Sequence, residues 1–315
     1  MSFGRKFKRK KQDVSPTISH PTTEDSLSAA NTPKVFPTHR GFAFIMPCMN
    51  RRDHAEQSVA ELMKDPRIDG IHNHLVFVDF YCPGNTGAVL KEKYGDRIHV
   101  LSFQEMVPIE EDQVPYFQKP LAHNSGAFEA LVRFSPHYLI FMDADTLVTP
   151  QLMDFIFHHA SPDRFLIFKP SHEAQRDLTG FLVVHSRAFT RVNGFDTRFT
   201  GWGAEDLDLR VKLLIKGLAP YYDSKALLRN PSLYMRWTEI PYELAHAIPH
   251  TDERRTLNYE EKDKNKSHQK NMDLLCSNIY EWLGVHPKDL QYTPLSSNIQ
   301  RLIGMDLFIN PKSYE

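Results

Sequence analysis

Residues 137–146 read His137-Tyr138-Leu139-Ile140-Phe141-Met142-Asp143-Ala144-Asp145-Thr146, an apolar run that ends in two aspartates one residue apart. A core strand rarely ends in two carboxylates without a use. In open α/β sheets the strand termini line the ligand crevice. A diphosphate held through a divalent ion needs hard oxygen ligands and open positions on the ion. Asp-x-Asp alone also occurs in solvated turns, and its place after a buried run is what favours a site.

The pattern extends outward in both directions. Residues 41–46 form a short apolar run before Pro47 and predict a first buried strand. Ala55, Val59, Leu62 and Met63 share one face of a helix. Residues 75–80 and 98–103 predict two more strands, with a short helix over 87–94 between them. A polar connection over 104–117 leads to a helix over 122–134 and then to the strand at 138–142. Further strands are expected at 165–168 and 181–184, and helices over 207–218 and 272–283. This alternation implies an α/β fold, a Rossmann-like, mostly parallel sheet flanked by helices, with a C-terminal helical and loop extension. No internal repeat interrupts it.

A second acidic cluster lies at 199–209, Phe199-Thr200-Gly201-Trp202-Gly203-Ala204-Glu205-Asp206-Leu207-Asp208-Leu209. Acids in a first helical turn commonly just complement the helix dipole. Here two glycines permit a tight backbone, and a Trp face suits a sugar ring. A carboxylate beside it can deprotonate an acceptor hydroxyl if partial burial tunes its pKa. His246 and His250 are four apart, but Pro249 argues against a helix there. A single histidine as a third metal ligand fits better than a pair.

The 315-residue chain has a net charge of −1 and 41% hydrophobic residues, so a sizeable core can form and no global field favours nucleic acid or membrane. Locally, Arg5, Lys6, Lys8, Arg9, Lys10 and Lys11 crowd the first twelve residues without an acid. Residues 1–37 are expected to be a disordered basic tail. Residues 38–250 would form the main domain, with a nucleotide half to about 146 and an acceptor half after it. Residues 251–315 would be a polar mobile loop over 251–270, able to close over a donor, and a helical extension. Cys48, Cys82 and Cys276 match no metal spacing and read as reduced thiols. Neither a signal peptide nor an apolar run of about 18 residues is expected. A cytoplasmic protein, at most peripheral to a membrane, is the expectation.

Four blocks, in order, resemble the GT-A-fold inverting glycosyltransferases, closest to the β-1,4-galactosyltransferase family and bacterial chondroitin-type polymerases. They are Phe44-Ile45-Met46-Pro47-Cys48-Met49-Asn50-Arg51, then Phe117-Gln118-Lys119-Pro120-Leu121-Ala122-His123-Asn124-Ser125-Gly126, then the Asp143-Ala144-Asp145 motif. The last runs from Gly180-Phe181-Leu182 through Asn193-Gly194-Phe195 to the second acidic cluster. The resemblance implies transfer of a sugar from a UDP-sugar to an acceptor hydroxyl, most readily of a glycan or polysaccharide, with Mn²⁺ or Mg²⁺. It implies Asp206 as catalytic base with Glu205 beside it, and Asp143, Asp145 and His250 as metal ligands. It places Pro47, Asn50, Arg51, Asp79, Phe117, Lys119, Asn124, Asp143 and Trp202 around the donor. In the family, Phe-Arg stands in place of Cys48 and Met49, a methionine ligand in place of Ala247, and an acidic triplet where Leu207 intervenes.

Other classes of function are weighed by different residues. The basic run at 5–11, interleaved with Phe3 and Phe7, suits DNA or an anionic membrane, either as a binding protein or as a tether. A tethered enzyme could glycosylate hydroxylated DNA bases. The presence of both Asp145 and Asp206 argues against a metal-binding pseudoenzyme.

Overall fold

The computed structural model describes residues 41–82, 84–106, 116–168, 178–201, 203–218, 224–249, 261–284 and 294–303. The chain divides into residues 1–36 and 37–315; the basic tail, Trp202, His250 and residues 251–260 lie outside the described residues.

In chain order the elements are β1 (Phe42–Cys48), α1 (Arg52–Leu62), β2 (Asn73–Asp79), α2 (Thr86–Tyr94), β3 (Ile98–Ser102), α3 (Phe103–Met106) and α4 (Lys119–Phe134). Then come β4 (Tyr138–Phe141), β5 (Thr146–Val148), α5 (Pro150–His159), β6 (Arg164–Phe168), β7 (Leu182–His185), α6 (Ser186–Arg191) and α7 (Glu205–Lys216). The chain continues through α8 (Ser224–Arg229), β8 (Arg236–Ile240), β9 (Ala245–Ala247), α9 (Glu261–Leu283) and α10 (Pro294–Ile303).

Seven strands form one sheet in the order β3-β2-β1-β4-β7-β6-β8, and β7 alone runs antiparallel to its neighbours. The central strands read as continuous apolar runs because both faces are covered. Ala43, Ile45, Leu139 and Phe141 face a core shared with α4, α6, α7, α9 and α10. Phe42, Phe44, Met46 and Ile140 face the core that holds α1, α2 and α5. Because β1, β2 and β4 are parallel, Cys48, Asp79 and Phe141 finish at the same edge of the sheet. The reversal of β7 sets Leu182 opposite Phe141, so the residues before β7 lie beside those after β4.

Three sequence expectations change. Pro47 lies inside β1 rather than closing it. Pairing with β4 ends at Ile45, so the missing N–H at Pro47 breaks no ladder bond. Residues 261–270 are helix, not loop: α9 begins at Glu261. Its first turns are rich in Lys, Glu and Gln, good helix formers, and Leu275, Ile279 and Leu283 anchor it in the core. The sheet also gains β8 and a separate two-stranded ribbon of β5 and β9, neither of which was expected. No disulfide joins the three buried cysteines, and no described helix is long and apolar enough to cross a membrane.

Helix α4 approaches the sheet through Gly126, where an added Cβ would stand 2.6 Å from Val78 Cγ2 and 2.7 Å from Ile45 Cγ2. Gly126→Val should therefore lower the unfolding free energy by about 1–3 kcal/mol through overpacking, read as a lower denaturation midpoint.

Candidate functional site

The site grows from the end of β4. The Met142 amide makes the last bond to β1, at Ile45 O, 3.1 Å away, and a tight turn follows with Thr146 N donating to Asp143 O at 3.1 Å. Asp145 is buried within this turn, and its Oδ2 receives Arg51 Nη1 at 3.1 Å. Arg51 directly precedes α1. The Ser58 hydroxyl of the same helix donates to Thr146 O at 2.5 Å, which fixes β5 behind the turn. Thr146 pairs with Ala247 in the β5–β9 ribbon, and Ile248 N donates to Asp145 O at 2.8 Å. The segment that leads to His250 is thus brought to Asp145.

Lys119 opens α4, with Pro120 preset for the first helical turn. Its Nζ lies 3.0 Å from Asp143 Oδ1, 3.1 Å from Asp206 Oδ2 and 3.5 Å from Glu205 Oε1. Burial opposes the Lys119 charge, but the three carboxylates outweigh it and hold the ammonium well above its ordinary pKa. Burial likewise opposes ionisation of Asp143, and Lys119 outweighs it, so that carboxyl sits below its usual range. Glu205 behaves oppositely. Its burial and the neighbouring Asp206 push it up to about 7, so near neutral pH it carries a proton part of the time.

Glu205 and Asp206 reach this position because the chain turns sharply before α7. Gly201, Gly203 and Ala204 have φ of 77°, 94° and 71°, and α7 starts without a side-chain cap. Two glycines supply the left-handed backbone that most side chains disfavour. Gly180 fills the remaining gap: an added Cβ there would overlap the Asp143 carboxylate and stand 2.9 Å from Lys119 Nζ. Arg210 of α7 is buried and donates to Thr179 O, which ties the residue before Gly180 to the helix that carries the acids.

The other expected residues are distributed around this centre. Asp79 ends β2 at the same sheet edge, and its two oxygens take the amides of Cys82 at 2.9 Å and Gly87 at 2.6 Å. Phe117 is half-buried, its ring 5.5 Å from that of Phe80. Pro47 is buried in β1, while Asn50 is exposed with φ 54°. Asn124, expected beside the nucleotide, binds the backbone of Phe195. Its amide donates to Phe195 O at 2.8 Å and accepts from Phe195 N at 2.9 Å, so it clamps the Gly194 turn. Sequence reasoning missed Arg210 and gave Gly180 no role of its own; neither carries a local signal, because their partners are brought together by the sheet.

Arg51 and Lys119 form ion pairs with four carboxylates, Asp143, Asp145, Glu205 and Asp206, and the buried Arg210 adds a further positive charge near Glu205 and Asp206. Among the described residues no group of three His, Cys, Asp or Glu side chains could hold a metal by itself. Asp143 and Asp145 would need substrate phosphates or water to complete the shell of an ion.

Residues 166–231 match the family profile described as the N-terminal domain of galactosyltransferase, a segment that includes Gly180, Glu205 and Asp206. Among curated proteins none matches the chain. Solved structures similar to it include residues 1–349 of TarS from S. aureus, with TM-score 0.53 and 13% identity over 87% of this chain and 77% of that one. TarS with UDP-GlcNAc gives 0.50 and 14%, over 76% of this chain and 66% of that one, just under two thirds of its length. Drosophila β1,4-galactosyltransferase 7 with manganese, UDP-Gal and xylobiose gives 0.44 and 16%, over 72% and 79%. At these identities the TarS likeness is one of fold, and the fold is GT-A.

Two substitutions probe the cluster. Gly180→Ala displaces the Asp143 carboxylate and should lower donor turnover by about tenfold or more, with the melting temperature little changed. Burial pushes the Asp208 carboxyl, in the first turn of α7, up to about 6. Between its unfolded pKa near 4 and that value the folded chain keeps a proton that the unfolded chain releases, so stability falls as pH rises through this window. Asp208→Asn should flatten that slope, worth roughly 2–3 kcal/mol, in denaturation curves taken from pH 4 to 7.

Proposed function

We propose that this chain, a GT-A-type glycosyltransferase in fold, moves a sugar from a UDP-sugar to an acceptor hydroxyl with inversion, the acceptor being a glycan or polysaccharide. The observation that carries this reading is the placement of Asp143 and Asp206 on one ammonium, Lys119 Nζ, at 3.0 and 3.1 Å. A carboxylate suited to a metal-bound diphosphate and a carboxylate suited to a base thereby meet at one point.

Asp143 and Asp145 would hold Mn²⁺ or Mg²⁺, with His250 as a third ligand; such an ion, when bound, supplies positive charge to the diphosphate. The return of the chain at Ile248 supports the choice of His250. Arg51 and Lys119 are the cations beside the leaving group, and Lys119 can exchange a carboxylate for a phosphate oxygen. Pro47, Asn50, Asp79 and Phe117 border the uridine, and Trp202, which lies outside the described residues, is the aromatic residue expected beside the donor sugar. UDP-GlcNAc in TarS supports a uridine nucleotide as the donor class.

Asp206 takes the proton from the acceptor hydroxyl as that oxygen bonds to the anomeric carbon. The bond from that carbon to the diphosphate oxygen breaks on the opposite face, UDP departs with the electron pair, and the configuration inverts. Asp206 is given this task by its place in the motif, with its carboxylate 3.1 Å from Lys119 Nζ. Glu205, adjacent in the same turn, is placed to orient the acceptor hydroxyl.

Asp206→Asn should reduce sugar transfer by roughly 10²–10⁴-fold while UDP affinity, read by calorimetry, changes less than threefold. Transfer at the wild-type rate by this variant would rule out the base assignment.

A further inference from the structure

We infer that Asn271 and Asn278 of α9 are positioning residues that hold the acidic turn at 200–208 in its working geometry, which makes the C-terminal helix part of the site. The inference rests on the reading of that turn as the base-bearing element.

The two asparagines are seven residues apart, two helical turns, and so share one face of α9. Each is 1% exposed. Asn271 Nδ2 donates to Thr200 O at 3.1 Å and to Gly203 O at 2.8 Å. Asn278 Nδ2 donates to Asp208 Oδ1 at 2.8 Å and to Asp196 Oδ2 at 3.1 Å. Arg198 Nη2 donates to Asn278 Oδ1 at 2.7 Å, which orients that amide. One helix face therefore grips the chain just before Glu205 and Asp206 and again just after them.

The turn needs such a grip. It passes through three left-handed residues, one of them Ala204, and α7 has no side-chain cap of its own. A non-glycine residue held there is strained and persists only where its surroundings over-determine it. His268, one turn before Asn271, adds a steric wall: an added Cβ at Gly203 would stand 2.6 Å from its Nδ1. Helix α9 has apolar anchors besides the amides. Leu275, Ile279 and Leu283 are buried in the core shared with α7, and Lys212 Nζ lies 5.8 Å over the Trp282 ring. The polar contacts and the apolar contacts of α9 thus serve different ends.

The decisive experiment compares wild type with Asn271→Leu, which keeps the volume and removes the donors, and with Asn271→Gln, which restores an amide. Amide hydrogen exchange at 203–208 is read alongside kcat, donor KM and UDP affinity. Exchange at 203–208 should quicken in Asn271→Leu while residues 272–283 stay protected. Its kcat should fall about 10- to 100-fold with donor KM and UDP affinity within threefold, and Asn271→Gln should recover part of the loss. Unchanged exchange at 203–208, or equal loss of protection along α9, overturns the inference. So does unfolding of Asn271→Leu and Asn271→Ala alike, since Asn271 would then serve the fold. The exchange readout needs no sugar chemistry. A wild type that transfers no sugar would refute the proposed function, and the exchange data would still decide whether the helix holds the turn.

Discussion

Lys119 is the charge around which the site is arranged. A single ammonium at the start of α4 lies within 3.5 Å of carboxylates that come from the end of β4 and from the start of α7. Three half-buried acids so close together repel one another, and partial removal from water makes their ionisation unfavourable unless a cation offsets it. Lys119 provides that offset, and it is itself held charged by the acids. Burial, and then the neighbouring Asp206, still push the Glu205 carboxyl up to about 7.

The fold exists around this cluster as a set of deliveries to one sheet edge. Parallel β1, β2 and β4 bring Arg51, Asp79 and Asp143 to the same side, and the reversed β7 brings Gly180 against Asp143. The small β5–β9 ribbon returns the chain from the far end of the domain to Asp145. Helix α9 reaches the opposite flank through Asn271 and Asn278. Each delivery uses backbone pairing or buried apolar contact for rigidity, and reserves its polar groups for the turn.

What was legible in the sequence follows from this division. Strands β1, β2 and β4 announce themselves as continuous apolar runs because both faces are buried, and Asp143, Asp145, Glu205 and Asp206 stand out where such patterns end. The ribbon does not, because three-residue strands leave no periodicity and its paired residues Thr146 and Ala247 are 101 positions apart. The polar first half of α9 reads as loop when only its composition is considered; the buried residues that anchor it come later. Lys119, 87 residues from Asp206, carries no local sign of the acids it joins. Asn124 has its partner Phe195 71 residues away, which no local pattern announces.

The most direct measurement is release of UDP from a panel of UDP-sugars by the full chain, with Mn²⁺ and then with excess chelator. The account predicts turnover of at least one donor, lost on chelation and restored by Mn²⁺. A folded protein that binds UDP but releases none from any donor, or that turns over equally well in chelator, would contradict it.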